Sequence, residues 1–318
     1  MKLVVAFLCY NESSARYLSE FLVSLDQALA SLTLDILVLA GDNSDKRPYT
    51  NNLLIDDHNR HALFPARVLS FTSNLGFAAA YNRLINEAVS EKADYFLMLN
   101  PDMCLEKDSL SILLAHLIAR PNLTAVCPKI YRWDFSKSLR TNIIDSCGIC
   151  WRSGLRFYDV GQGEEDDGHH DEAKIAGPSG AAALFRLADL ERIKENGFYF
   201  DERFFMYKED CDLSYRLVLA GLKTELVPQS IVYHDRSAAV KNNLWCTWRD
   251  WHQRSHLSRS WSFLNQHLIF IKHWSQESFW SRLGIIFQVL FLSIFSLIFA
   301  NFLWKNYPRL WRIFRSID

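Results

Sequence analysis

The first 130 residues alternate between short, continuously apolar runs and longer stretches with helical spacing. The apolar runs lie at residues 3–9, 34–40, 68–71 and 95–99. The helical stretches lie at residues 14–31, about 74–90 and 109–119. Strands that are apolar throughout are covered on both faces, and intervening helices make neighbouring strands parallel. The sequence therefore predicts an α/β fold with a Rossmann-like, mixed but mainly parallel sheet flanked by helices.

Each apolar run is followed by a polar side chain that can bind a ligand. Asn11, Asp42, Asn74 and Asp102 follow the first, second, third and fourth runs. The carboxyl ends of parallel strands meet at one edge of a sheet, and ligands bind there in α/β proteins. We therefore expect these four side chains to lie close together.

Acidic residues and a histidine predict a metal site with a nearby base. Asp102 ends the segment Asn100-Pro101-Asp102, and hard cations such as Mg²⁺ or Mn²⁺ take carboxylate ligands and bridge them to phosphates. His234 follows a strand-like run and could complete the coordination or contact a phosphate. The adjacent carboxylates of Glu209 and Asp210 suit one of them to act as a general base. Each residue alone also has a structural interpretation, because an aspartate can cap a helix and a single histidine is commonly structural.

A run of small residues at 177–183 is the last local signal of a binding site. Glycines such as Gly180 allow a ligand to approach the backbone closely. The Lys-Ser/Thr pair of a P-loop is missing from this run. The run therefore predicts a close backbone contact but no P-loop.

Eight short motifs follow one another in an order that is itself informative. They are Tyr10-Asn11, Asp42-Asn43-Ser44, Asn74-Leu75-Gly76-Phe77-Ala78 with Asn82, Leu99-Asn100-Pro101-Asp102, Ser179-Gly180-Ala181, Phe200-Asp201-Glu202-Arg203-Phe204-Phe205, Glu209-Asp210-Cys211-Asp212 with Arg216 and Gly221, and Val232-Tyr233-His234. In these motifs the chain resembles the inverting family 2 glycosyltransferases of GT-A fold, especially their rhamnosyltransferase-like branch. The resemblance covers roughly residues 1–240.

The resemblance implies a role for each matched position. Asp210 matches the catalytic base, and Asp102 and His234 match the residues that hold Mg²⁺ or Mn²⁺ on the diphosphate. The residues implied to bind the nucleotide sugar are Asn11, Asp42, Asn74, Gly76, Asn82, Asn100, Asp102 and Gly180. The chain departs from a strict DxD motif, because Asn100 replaces the first aspartate.

The reaction that the resemblance implies is a single displacement. A dTDP- or UDP-linked sugar, rhamnose or a hexose, is transferred to a hydroxyl of a glycan or a polyprenyl-diphosphate-linked acceptor in cell-envelope polysaccharide biosynthesis. A nucleotidyltransferase would instead carry a glycine-rich loop after the first strand, where this chain has Cys9-Tyr10-Asn11-Glu12-Ser13. A non-catalytic, membrane-associated scaffold that binds sugar nucleotides is the alternative from another class.

The C-terminal part of the chain differs in composition. Residues 236–318 carry eleven Lys/Arg against three Asp/Glu and eight of the ten tryptophans, and residues 283–304 contain no charge. We predict a catalytic domain at residues 1–240 and a helical, Trp/Arg-rich region at 241–318. A basic, aromatic region favours a membrane surface over nucleic acid. We expect peripheral or monotopic association with the cytoplasmic side of the inner or plasma membrane. One transmembrane helix, a re-entrant helix and a helix buried in a dimer interface are the alternatives.

Overall fold

The computed structural model describes residues 1–46, 49–71, 73–235 and 255–315 of the chain. The strands, in chain order, are β1 (Lys2–Cys9), β2 (Asp35–Asp42), β3 (Ala66–Ser70), β4 (Tyr95–Leu99), β5 (Met103–Leu105), β6 (Leu123–Asp134), β7 (Leu139–Ser146), β8 (Ile149–Arg152), β9 (Arg156–Asp159), β10 (Ala182–Arg186) and β11 (Lys223–His234). The α-helices are α1 (Asn11–Leu29), α2 (Thr50–Asn59), α3 (Gly76–Ser90), α4 (Ser109–Ala119), α5 (Leu187–Leu190), α6 (Glu209–Leu219), α7 (His256–His273), α8 (Phe279–Phe299) and α9 (Tyr307–Arg315).

One mixed sheet forms the centre of the fold, with strand order β3-β2-β1-β4-β10-β6-β11-β5 and with β7 paired to β6. The pairs β3–β2, β2–β1 and β1–β4 are all parallel. β10 runs antiparallel between β4 and β6, and β8 and β9 form a separate hairpin. The predicted α/β class, a mixed sheet flanked by helices, is confirmed.

The burial of β1 explains why its sequence is apolar throughout. Leu3, Val5 and Phe7 pack on one face of the sheet in the core that includes α1 and α4. Val4 and Ala6 pack on the other face with α3. All five side chains are at most 1% exposed. Because both faces are covered, the carboxyl edge of the sheet is where a ligand can reach these strands.

Several predicted elements are longer in the structure. α1 begins at Asn11 rather than at residue 14, and β2 continues to Asp42 rather than ending at residue 40. The helix α2 was not predicted. Two of its residues, Asn51 and Ile55, are buried, so its sequence carries little apolar periodicity from which a helix could be recognised.

The C-terminal helices share a core with the sheet-bearing part of the chain. The predicted domain boundary at residues 240 and 241 lies outside the described residues, so the division into two domains stays a prediction. Phe204 and Tyr215 pack in one cluster with Leu268 of α7 and Ile285 of α8. The region after residue 255 is therefore attached to the rest of the molecule through an apolar core.

The apolar segment expected at residues 283–304 is divided between two elements. α8 begins at Phe279 and ends at Phe299, and a short 3-10 helix follows it. The division occurs at Ala300, whose φ of −150° is not helical. By length and composition, α8 is the one helix among the described residues that could cross a membrane.

Candidate active site

The Asn-Pro-Asp motif connects β4 to β5 at the edge where the parallel strands end. β5 pairs with β11, and the register places His234 opposite Met103, the residue that follows Asp102. His234 Nε2 lies 3.2 Å from Asp102 Oδ1. The backbone N–H of Asp235 also donates to the carbonyl of Asp102 at 2.9 Å. The sheet therefore brings the two predicted metal ligands into contact.

Asp145 completes this group and was not predicted. It lies on β7, is 1% exposed, and its Oδ2 is 2.9 Å from His234 Nδ1. Burial lowers the pKa of His234, but the charges of Asp102 and Asp145 and their hydrogen bonds outweigh it and raise the pKa to about 10. The two carboxylates therefore favour the protonated imidazole, which is hydrogen-bonded to Asp145 through Nδ1 and faces Asp102 with Nε2. In the sequence, Asp145 is a single carboxylate that follows two isoleucines. This pattern is too common to identify a binding site.

The donor set fits a divalent cation. Asp102 Oδ1 and His234 Nε2 lie 3.2 Å apart, so a carboxylate and an imidazole are close enough together to hold one ion between them. The Asp102 side chain is 30% exposed, so a substrate phosphate could reach an ion held there. An imidazole ligand favours Mn²⁺ over Mg²⁺, which is bound mainly through oxygen. His234 would release its Nε2 proton on binding the ion.

Glu209 and Asp210 share the first turn of α6 but have different surroundings. Asp210 is partly exposed, and its carboxylate accepts hydrogen bonds from the backbone N–H groups of Gly180 at 3.0 Å and Cys211 at 2.8 Å. Glu209 is 6% exposed. Burial, with a contribution from the charge of Asp210, raises the pKa of Glu209 well above its usual value. Asp210 is therefore the member of the pair that a substrate can reach.

A two-residue backbone segment, Gly180–Ala181, connects the two carboxylate groups. The backbone N–H of Asn100 donates to the carbonyl of Ala181 at 2.8 Å. On the other side, a Cβ on Gly180 would lie 3.1 Å from Asp210 Oδ2. A side chain at this position would therefore crowd the carboxylate of Asp210, and the glycine leaves room for it. The predicted base and the predicted metal ligands are thus joined through one short segment.

Asn11 and Asp42 both hold the loop that follows β2. Asp42 is 3% exposed, and its Oδ1 accepts a hydrogen bond from Ser44 N–H at 3.0 Å. Asn11 Oδ1 accepts from the backbone N–H groups of Asp45 and Lys46, both at 3.2 Å. The two residues meet at one loop at the carboxyl ends of β1 and β2, as the sequence led us to expect. Their predicted contacts with a nucleotide stay a prediction.

Asn74 and Gly76 form the turn into α3. Asn74 Oδ1 accepts from Gly76 N–H at 2.9 Å. Gly76 has a φ of +77°, and a Cβ there would clash with the carbonyl oxygen of Phe205. Asn43, which was not singled out as a site residue, ties this turn to β2, because it accepts from Leu75 N–H at 2.9 Å and donates to the Gly76 carbonyl at 3.0 Å. The glycine is thus explained by chain packing.

Asn82 was predicted to bind the nucleotide sugar, but its amide is engaged by the protein. Nδ2 donates to the carbonyl of Phe200 and to Glu202 Oε1 at 2.8 and 3.1 Å. Oδ1 accepts from the N–H groups of Tyr199 and Phe200 at 3.2 and 2.9 Å. Four hydrogen bonds use the full capacity of an amide, and the residue is 2% exposed. The geometry gives Asn82 a structural role and leaves its amide no capacity for a ligand.

A sequence model described as Glycosyl transferase family 2 matches residues 5–193. That range contains Asp42, Asp102 and Gly180 and ends before Asp210. Rhamnosyltransferase WbbL of Escherichia coli (strain K12) is 27% identical over 174 residues. The aligned part is 52% of this chain and 61% of WbbL, so the chain covers less than two thirds of this relative.

Two solved structures have the same fold. Residues 1–349 of S. aureus TarS superpose with a TM-score of 0.54 and 16% identity, over 99% of this chain and 80% of that one. Mannosyltransferase PcManGT from Pyrobaculum calidifontis, solved with GDP-Man and Mn²⁺, has a TM-score of 0.50 and 15% identity, over 99% and 86%. At these identities the likeness concerns the fold, and it confirms the GT-A prediction. Because the family model matches more than half of the sequence, the chain belongs to glycosyl transferase family 2.

Proposed function

We propose that the protein is an inverting glycosyltransferase that moves rhamnose or a hexose from a nucleotide-diphosphate sugar to a hydroxyl of a glycan or polyprenyl-diphosphate-linked acceptor. The observation that carries this proposal is the arrangement around Gly180–Ala181. Asp210, a partly exposed carboxylate, contacts Gly180, and the loop that holds Asp102 and His234 contacts Ala181 through Asn100. Asp210 is suited to accept a proton, and the pair Asp102 and His234 is suited to bind a diphosphate through a metal ion.

In this mechanism the acceptor oxygen attacks the anomeric carbon from the face opposite the diphosphate, and Asp210 accepts the hydroxyl proton. The new C–O bond forms as the bond to the diphosphate breaks, and the diphosphate leaves with the electron pair. Configuration therefore inverts in one displacement. A divalent cation held by Asp102 and His234 would supply charge neutralisation for the departing diphosphate.

The choice of donor follows from the relatives. WbbL is named a rhamnosyltransferase, so dTDP-rhamnose is the first donor to test and UDP-hexoses are the next. The PcManGT structure contains GDP-Man and Mn²⁺, which adds GDP-mannose and Mn²⁺ to the panel. The site of this chain, with an imidazole beside a carboxylate, is compatible with Mn²⁺.

The arrangement of α8 supports association with a membrane surface. Ser281, Ile285 and Ser296, spaced along the helix, are buried against the protein. The opposite face is apolar and exposed, and it comprises Phe287, Leu290, Phe291, Ile294 and Ile298. A helix that crossed the bilayer would carry its packed protein partners into the hydrocarbon, whereas a helix in the interface plane buries only its free face. We therefore propose monotopic attachment through α8.

The charge of α9 suits the same surface. Trp311 and Phe314 are 56% and 59% exposed, and Arg312 and Arg315 are exposed beside them. Exposed aromatic residues interleaved with arginines are typical of helices that bind anionic lipid headgroups. An acceptor on a lipid diphosphate at the cytoplasmic leaflet would then be presented at the surface to which the enzyme is attached.

A thermal-shift panel tests the proposed function. The donors are dTDP-rhamnose, UDP-glucose, UDP-galactose, UDP-N-acetylglucosamine and GDP-mannose, each with Mg²⁺, with Mn²⁺ and with chelator. We expect a metal-dependent shift for one donor, accompanied by release of its nucleoside diphosphate when an acceptor hydroxyl or water attacks the sugar. Binding without any release would favour the non-catalytic scaffold. No shift for any donor would contradict the proposal.

A further inference from the structure

The loop that precedes α6 contains two consecutive residues with left-handed backbone. Tyr207 has a φ of 70° and Lys208 a φ of 67°, and neither is a glycine. Such residues are uncommon, and they persist where the surrounding structure holds them in place. Because Lys208 immediately precedes α6, this pair sets the direction in which the helix starts. The position of Asp210, the second residue of α6, depends on that direction.

Asn265 of α7 holds this pair. Its side chain is fully buried, and Nδ2 donates to the carbonyl oxygens of Met206 and Tyr207, each at 2.7 Å. Two carbonyl acceptors require both amide hydrogens, so chemistry fixes the orientation of the amide. Across the described residues, Asn265 Oδ1 has no hydrogen-bond partner. An unpaired buried acceptor is unfavourable, so the two bonds to the loop are the contribution that the amide of Asn265 makes here.

Other residues of α7 contact the same loop. Trp261 stacks on Phe205 with the ring centroids 4.9 Å apart, and Tyr207 Oη donates to Ser258 Oγ at 3.1 Å. On the opposite side, the carbonyl of Phe205 accepts the N–H of Phe77, at the start of α3, at 2.6 Å. The loop is therefore held between α7 and the turn into α3.

We infer that Asn265 is a positioning residue for the base: by holding the left-handed pair Tyr207–Lys208, it directs Asp210 toward the acceptor hydroxyl. This inference rests on the proposed function, in which Asp210 accepts the proton. It gives the C-terminal region, where the sequence shows no catalytic motif, a part in turnover. The C-terminal region would affect turnover through α7, the helix that carries Asn265.

The test compares Asn265→Ala with Gln266→Ala. Gln266, the next residue of α7, donates to the carbonyl of Leu155 at 3.1 Å, so the control removes a hydrogen bond of the same helix without touching the loop. The assay is hydrolysis of dTDP-rhamnose, or of the panel donor that binds instead. We expect Asn265→Ala to lower kcat about 10- to 100-fold with little change in the donor KM, because misplacing a reacting group by about 1 Å can cost roughly 100-fold.

Two further measurements make the test decisive. Asn265→Ser keeps one hydrogen-bond donor at this position and should give a kcat between those of the wild type and Asn265→Ala. If Asn265→Ala does not fold, Asn265→Ser is tested in its place. Hydrogen–deuterium exchange at residues 206–212 should rise in Asn265→Ala and not in Gln266→Ala. A wild-type kcat in the folded variant, a loss that Gln266→Ala equals, or an effect confined to KM would each overturn the inference.

Asp210→Asn separates this inference from the proposed function. Full activity in Asp210→Asn would overturn the base assignment itself. An inactive Asp210→Asn together with a fully active Asn265→Ala would overturn only the positioning role of Asn265.

Discussion

Asp145 lies 2.9 Å from Nδ1 of His234, on the side of the ring away from Asp102. A histidine that binds a metal through Nε2 commonly donates its Nδ1–H to a carboxylate, which orients the ring and raises its basicity. Asp145 occupies that place. Its backbone is on β7, so the orientation of His234 depends on a strand that the sequence did not predict.

Replacement of Asp145 should weaken metal binding. We expect Asp145→Asn to lower Mn²⁺ affinity about 10- to 100-fold, because the ring loses a charged partner that orients it. Calorimetric titration of Mn²⁺ measures this without an activity assay. Asp134→Asn, which removes a carboxylate that pairs with exposed Lys137, is the matched control. Unchanged affinity in Asp145→Asn would show that His234 needs no such partner.

Replacement of Asp210 should affect the chemical step. Asp210→Asn keeps the size of the side chain but cannot accept a proton, and general base catalysis contributes about 10²–10⁴ in rate. We expect kcat to fall by about that factor and donor affinity to stay near the wild-type value. Comparison of single-turnover rates with donor titrations separates the two quantities. A variant with normal turnover would remove Asp210 from the mechanism.

Asn82 should contribute to stability. Asn82→Ala leaves buried backbone groups of Tyr199 and Phe200 without their partner, and each such loss costs about 1–3 kcal/mol. We expect a lower free energy of unfolding in urea, with a donor KM close to that of the wild type. Asn142→Ala, which removes one exposed hydrogen bond to Glu165, is the control. A raised KM with unchanged stability would instead support the nucleotide-binding role inferred from the sequence.

Asp212 should make stability depend on pH. It is fully buried, between His273 Nε2 at 2.8 Å, Arg216 Nε at 2.9 Å and Lys272 Nζ at 2.9 Å. Burial raises the pKa of Asp212, but the hydrogen bond to His273 and the charges of Arg216 and Lys272 outweigh it, and the net pKa is lowered. The folded state therefore binds this proton less tightly than the unfolded state. The resulting stability is present above the unfolded pKa of about 3.9 and is lost as the pH falls toward the folded pKa.

Urea unfolding from pH 7 down to pH 3 tests this dependence. Asp212→Asn should be about 3–5 kcal/mol less stable at pH 7, because it removes the buried carboxylate that Arg216, Lys272 and His273 share. The difference in the free energy of unfolding between Asp212→Asn and the wild type should begin to decrease below about pH 4. Below that pH, protonation of Asp212 removes the same interaction from the wild type. A difference that stays constant over this range would assign the loss to packing.

The exposed face of α8 should govern binding to lipid. Phe287 and Phe291 are 69% and 66% exposed, so replacing both with serine should leave the free energy of unfolding unchanged and reduce cosedimentation with phosphatidylglycerol vesicles. Leu63→Ser, at a residue that is 70% exposed and outside this region, is the control.

Arg312→Gln should weaken binding about fivefold at low salt, which corresponds to about 1 kcal/mol per arginine. Equal binding of all variants would exclude α8 and α9 as the attachment surface.

Local sequence patterns were enough to predict the fold class and the order of the site motifs. Continuous apolar runs such as residues 95–99 can be buried on both faces only in a covered sheet, and the helical spacing of residues 109–119 was found in the structure with the same bounds. Asp102 and His234 could be paired in advance because both follow strands. Such patterns are local, since they depend on residues a few positions apart and on the periods of strand and helix.

The side chains that orient these motifs could be identified only from the folded chain. Asp145 reaches His234 across 89 positions, and Asn265 reaches Met206 across 59. The amide of Asn82 is hydrogen-bonded to Tyr199, Phe200 and Glu202, between 117 and 120 positions away. No periodicity encodes such contacts, because strand pairing and helix packing bring these residues together only after the chain has folded. A motif therefore predicted where the chemistry takes place, and packing decided which residues orient it.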